Sequence, residues 1–132
     1  MISTAILYIS LSVYHEARGE PLLCQLYVAE TVRNRMESRQ MTAKQVVRER
    51  NQFSWTRIIK QKTIRQEFKR LQRTVSPADK ESLERAIVLA NWVNSPLYHS
   101  FSGAQYFYDT SINTPKYIKQ KITCGGKLVF SK

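Results

Sequence analysis

The chain is short of glycine, proline, cysteine, histidine and acid. Four glycines and four prolines in 132 residues exclude a collagen-like or linker-dominated chain. No low-complexity run or internal repeat is present. The two cysteines, Cys24 and Cys124, belong to no Cys-x-x-Cys pair and to no Cys/His zinc spacing. They are read as two free, partly buried thiols, with one long-range disulfide as the alternative for a protein working outside the cytoplasm. The only histidines are His15 and His99, so no His pair sits one helical turn apart, and neither a metal nor a cofactor is expected. Acids are outnumbered, 10 against 21 Lys and Arg, for a net charge of +11. That imbalance points to a polyanionic partner or surface: nucleic acid, anionic membrane or an acidic wall polymer. No apolar run reaches the ~20 residues that span a bilayer, so no transmembrane segment is expected.

What is there suits one folded domain over residues 1–132, since 42% of the residues are hydrophobic. The first thirteen residues carry no charged side chain. They have no basic leader and no small-residue cleavage site, so they read as a buried first helix, 3–18, and not as a signal peptide. Gly19 is expected to stop it and Pro21 to open a second helix, 21–38. Leu22, Leu26, Ala29, Val32 and Met36 form the apolar stripe of that helix, and Glu30, Arg33, Asn34, Arg35 and Glu37 its polar positions. Thr42-Ala43-Lys44-Gln45 has capping-box form and starts a third helix ending near Arg50. The basic stretch 57–73 is read as helical. Ser76-Pro77-Ala78-Asp79 starts a last helix that runs to about Asn94. Residues 104–108 and 127–130 read as short strands. The fold class expected is α+β, mainly α, with a small β element.

The chemistry concentrates in Tyr14-His15-Glu16-Ala17-Arg18-Gly19-Glu20-Pro21. A carboxyl at the end of an apolar helix is partly desolvated, which raises its pKa and lets Glu16 act as an acid near neutral pH. Glycosidic cleavage needs such an acid, and hydrolysis normally needs a second carboxylate. Glu20 is the nearby candidate, although the Gly19 and Pro21 break opposes a simple side-by-side pair. The plainer reading is a solvated or salt-bridged pair with Arg18. Gln52-Phe53-Ser54-Trp55 reads equally as a sugar-binding wall or as a core plug. In a strand, Tyr106 and Tyr108 share one face and Phe107 takes the other. The basic run 57–73 reads first as a solvated helix face. Its nucleic-acid alternative lacks any accompanying recognition pattern.

Taken in order, Tyr14-x-Glu16-Ala17-Arg18-Gly19-Glu20-Pro21, Gln25-x-x-Val28-Ala29-x-x-Val32-x-Asn34-Arg35, Gln52-Phe53-Ser54-Trp55-Thr56, Ala104-x-Tyr106-Phe107 and Gly126-x-x-x-Phe130 resemble the motifs of the cell-wall hydrolases related to the spore-cortex-lytic enzymes. The resemblance spans nearly the whole chain. It implies a lysozyme-like, lytic-transglycosylase-like helical domain that cuts the glycan strands of bacterial peptidoglycan. Glu16 would be the catalytic acid. Gln52, Ser54, Trp55 and Tyr106 would bind substrate, and Arg18 and Glu20 would support the motif. Relatives often work as lytic transglycosylases, which need one acid and no second carboxylate. A true lysozyme (muramidase) and a stem-peptide amidase are the enzyme alternatives, and a basic nucleic-acid-binding module is the non-enzyme one. Tyr117, Asp109 and Leu128 depart from residues common in the family. A compact, basic chain without export signal resembles a phage endolysin, made in the host cytoplasm and acting in the periplasm, expected as a monomer without specific nucleic acid.

Overall fold

The computed structural model describes residues 2–49, 53–57, 59, 63–110 and 120–132. Gln52 and Tyr117, both singled out in the sequence, lie outside the described residues, as does the end of the third helix expected at Arg50.

Helix α1, Thr4–Ala17, is the centre of the molecule and packs against all the other α-helices. Ser3 caps it, its side chain accepting from the Ile6 N–H at 3.2 Å. Leu7 through Tyr14 are buried without interruption. The two serines in that run are tolerated because each donates back to its own helix, Ser10 to the Ile6 carbonyl and Ser12 to the Tyr8 carbonyl. The helix ends where expected, but not by a left-handed glycine. Gly19 has no positive φ and no atom near the place of a Cβ. The turn is closed by the Glu20 N–H on the Ala17 carbonyl, 2.9 Å, and by Pro21.

Helix α2, Leu22–Arg39, departs from the sequence expectation on both faces. Leu22 is 58% exposed, whereas Glu30, Asn34 and Arg35 are buried. The polar positions of α2 are docking points for the last third of the chain. The Glu30 carboxylate accepts from the Tyr98 hydroxyl, from the Phe101 and Ser102 N–H groups at 2.7 and 3.0 Å, and from the Ser102 hydroxyl at 2.6 Å. Asn34 donates to the Ala104 carbonyl, 2.9 Å. Such burial is sustainable only because each group finds partners.

Helix α3, Ala43–Val47, is shorter than expected and carries the capping box of Thr42 and Gln45. A 3-10 turn covers Ser54–Arg57. Among the described residues of the basic run, α4, Ile64–Thr74, is the α-helical part. A second capping box, Thr63 with Gln66, starts it. It buries Ile64, Glu67, Phe68 and Leu71, with Arg70 clamping Glu67. Helix α5, Pro77–Val93, starts at the Ser76 cap as the sequence indicates. Asp79 in its first turn meets Arg18 at the end of α1, 3.6 Å.

Strands β1 (Tyr106–Asp109), β2 (Ile122–Thr123) and β3 (Leu128–Ser131) form an antiparallel sheet in the order β1-β3-β2. Phe130 of β3 pairs with Phe107 and Ile122. β2 was not foreseen, being only two residues long.

Candidate functional site

The last turn of α1 presents Tyr14, His15, Glu16 and Ala17 in four directions. Tyr14 and Ala17 are buried, and His15 and Glu16 are partly so. His15 turns toward the 3-10 turn, where the Trp55 ring stacks on it at 5.2 Å and 14°. Burial, joined by the Arg18 charge, lowers the imidazole to about 4, so it is neutral at neutral pH. His15 Nε2 and Trp55 Nε1 are both buried and have no partner among the described residues.

Glu16 is the chemically distinctive group. Burial raises its carboxyl to about 7. Among the described residues it makes no ion pair that would hold it charged. The other carboxylates around the motif are engaged. Glu20 Oε1 accepts the Lys127 N–H at 3.0 Å. Glu67 is held by Arg70 and Asp79 by Arg18. Glu16 therefore keeps its proton up toward neutral pH, which is the property of a general acid.

Glu20 and Arg18 occupy bracing positions. Glu20 ties the α1–α2 turn to the β2–β3 turn. The contact is close enough that a Cβ on Gly126 would lie 2.7 Å from Glu20 Oε2, 2.8 Å from Pro21 Cδ and 2.9 Å from Cys24 Sγ. Arg18 lies over the Tyr14 ring, 4.6 Å to the centroid, besides its pairing with Asp79. At the same junction Cys24 and Cys124 form a disulfide, with Cα atoms 5.0 Å apart. This corrects the reading of two free thiols. Gly126 lets the β2–β3 turn close onto the start of α2, a contact that spacing along the chain cannot reveal.

The aromatic loop resolves toward the core. Phe53 and Trp55 are each 2% exposed. Phe53 packs edge-on against Phe107 at 5.7 Å. The Trp55 ring lies against His15, so the residue is packed into the core as well as standing beside the end of α1. Ser54, between these two anchors, is exposed. The turn thus links the end of α1, through His15 and Trp55, to β1, through Phe53 and Phe107. Ser54 and Glu16 are not joined by a hydrogen bond among the described residues. Tyr106, at the start of β1, is half-buried beneath Arg39, which donates to its hydroxyl at 3.2 Å. Arg39 and the buried Arg35 share Glu49. Tyr108 is buried, and so is not on an open face. The anchoring roles of Glu30, Glu49 and Glu67 escaped sequence reading. For Glu67 the i,i+3 spacing to Arg70 was the available signal, whereas Glu30 and its partners are 68–72 residues apart.

Among the described residues no three His, Cys, Asp or Glu side chains cluster as metal ligands, and no helix is long and apolar enough to cross a membrane. Comparison with curated proteins and with solved structures found no match. A family model described as Cell Wall Hydrolase matches residues 19–131. The match opens at Gly19, inside the motif and three residues after Glu16, and takes in the Glu20 brace, both cysteines, the 3-10 turn and the sheet. The chain belongs to the cell wall hydrolase family, enzymes that degrade peptidoglycan.

Proposed function

We propose that the protein cleaves the glycan strand of peptidoglycan, at the β-1,4 bond between N-acetylmuramic acid and N-acetylglucosamine, as a lytic transglycosylase with Glu16 as acid and then base. The observation that carries this reading is Glu16 itself. It is a lone carboxyl at the end of the central helix, held protonated near neutral pH by burial, while the carboxylates around it are committed to bracing contacts.

The protonated Glu16 gives its proton to the glycosidic oxygen as the bond to C1 of the muramic acid breaks, releasing the glucosamine 4-hydroxyl. The carboxylate left behind takes the proton from the muramic acid's own 6-hydroxyl, whose oxygen closes on C1. The product is a 1,6-anhydro end, the acid is regenerated and no water is consumed. A muramidase would place water where the 6-hydroxyl acts, and would want a second carboxylate to activate it. The engagement of Glu20 supports the single-acid route. The amidase alternative loses its thiol, because Cys24 is bonded to Cys124.

Ser54 and Tyr106 are proposed to line the cleft on either side of the Phe53 anchor, and Arg18 and Glu20 to hold the motif together. The disulfide suits an oxidising envelope compartment, and the +11 charge suits anionic envelope polymers. Both support action as a phage endolysin in the periplasm. The test is Glu16→Gln on purified peptidoglycan. Loss of a general acid lowers turnover by about a hundred- to ten-thousand-fold. Mass spectrometry of wild-type products should find anhydro ends. Undiminished activity in the folded variant would remove Glu16 from the chemistry, and reducing ends would replace the transglycosylase by a muramidase.

A further inference from the structure

Around the other end of α1 lies a cavity of about 340 Å³. Its walls include Thr4 and Tyr8 of α1, Lys44 and Arg48 of the α3 segment, and Thr63 and Arg65 at the start of α4. Among the described lining residues three are cations and none is an acid. Among the described residues none of the three makes an ion pair, although Arg65 also donates to the Ile2 carbonyl at 2.9 Å. Lys44 and Arg48 are exposed. A protein that packs like charge into one concavity without a counter-charge leaves a field that an anion would relieve.

A second observation is independent of the charges. Tyr8 is only 2% exposed, a side chain buried in the core. Its hydroxyl has no hydrogen-bond partner among the described residues, yet it is not among the sealed-off polar atoms, and the residue lines this cavity. A buried tyrosine normally gives its O–H to a partner. Tyr8 lines the cavity that the three cations also line, and a ligand oxygen there would complete its hydroxyl.

We infer that this cavity is a binding site for a terminal phosphoryl group carried on a sugar or lipid headgroup. Three cations and a hydroxyl, set on three separate elements, suit a compact multivalent anion with oxygens in several directions better than a flat, singly charged carboxylate. The two guanidiniums match the forked geometry of phosphate recognition. Among the described residues the three cations share the lining of one pocket, which suits an isolated phosphoryl group better than an extended nucleic-acid backbone. The size is within the range of small-ligand sites. Along α1, Tyr8 and Glu16 are about 12 Å apart. The site is thus separate from the candidate acid, and its occupant would hold the enzyme on a phosphorylated envelope component while the other end works.

The test is titration by calorimetry of the full chain with inorganic phosphate and with glucose 1-phosphate, against sodium chloride at matched ionic strength. Saturable binding of both phosphates is expected, with chloride giving none. Arg48→Gln and Tyr8→Phe should each weaken binding about ten-fold, the loss of one hydrogen bond to a charged group. Arg48 is exposed, so its replacement leaves folding intact, and Tyr8→Phe keeps the buried ring. Affinity unchanged in both variants, or no saturation beyond the chloride control, would overturn the site. So would duplex DNA displacing glucose 1-phosphate at physiological salt, which would make the pocket part of a nucleic-acid surface.

Discussion

At the scale of single residues, His15 and Glu16 are both kept uncharged by burial, and their effects on folding oppose each other. The unfolded imidazole titrates near 6.5 and the folded one at about 4. Stability from a neutral His15 is present above 6.5 and is lost as pH falls toward 4, because the unfolded chain then binds the extra proton. Glu16 goes from 4.5 unfolded to about 7 folded. Its contribution is present below 4.5 and is lost as pH rises through 7. Each effect is on the order of 3 kcal/mol at its full extent. Between about pH 4.5 and 6.5 the two slopes offset each other. Glu16→Gln should therefore gain stability at neutral pH while losing activity, and should expose a stability that rises with pH over the His15 window. His15→Gln should expose the opposite slope. Denaturant midpoints taken from pH 4 to 8 check this, and parallel profiles for all three proteins would contradict it. The same protonation makes wild-type kcat/KM fall as pH rises past 7, when Glu16 ionises.

At the scale of elements, one carboxylate of α2 gathers the segment that follows α5, beside the Asn34 bond and the disulfide. Glu30 gathers the Tyr98 hydroxyl, two backbone N–H groups and the Ser102 hydroxyl. Glu30→Gln keeps the shape but turns one acceptor into a donor facing donors. A loss of about 2–4 kcal/mol is expected, from broken hydrogen bonds to a charged group and one buried mismatch. Thermal unfolding measures it, and a change below experimental error would mean that packing, Asn34 and the disulfide hold the segment without Glu30. Which elements could be read from sequence follows from range. The caps at Thr42 and Ser76 are local, and both were legible. Thr63-Ile64-Arg65-Gln66 is the same kind of box and was overlooked inside the basic run, which is why the helix there was placed too early. Glu30, Asn34 and Arg35 had polar identities that suggested solvent, because their partners lie in other segments. Trp55 was legible as either wall or core, and the ring it packs against, His15, is forty residues away. The raised pKa of the Glu16 carboxyl was legible because its environment, an uncharged helix, precedes it directly in the chain.

At the scale of the whole molecule, the Cys24–Cys124 disulfide is the longest-range covalent fact in the fold. A crosslink closing a loop of 100 residues stabilises by about 4–5 kcal/mol on chain-entropy reasoning. Reduction should lower the thermal midpoint strongly and a Cys24→Ala, Cys124→Ala double variant should match the reduced protein. A midpoint insensitive to reductant would mean that the two sulfurs stay together by packing alone. The bond also makes everything from Cys24 to Cys124 a closed ring, with α1 on one tail outside it and β3 on the other. A protease that cuts once inside the ring opens it but releases nothing, so the nicked molecule remains one covalent body until it meets a reductant. A cut after the exposed Arg18 is different in kind, for it detaches the helix that carries Glu16 from every residue of the ring.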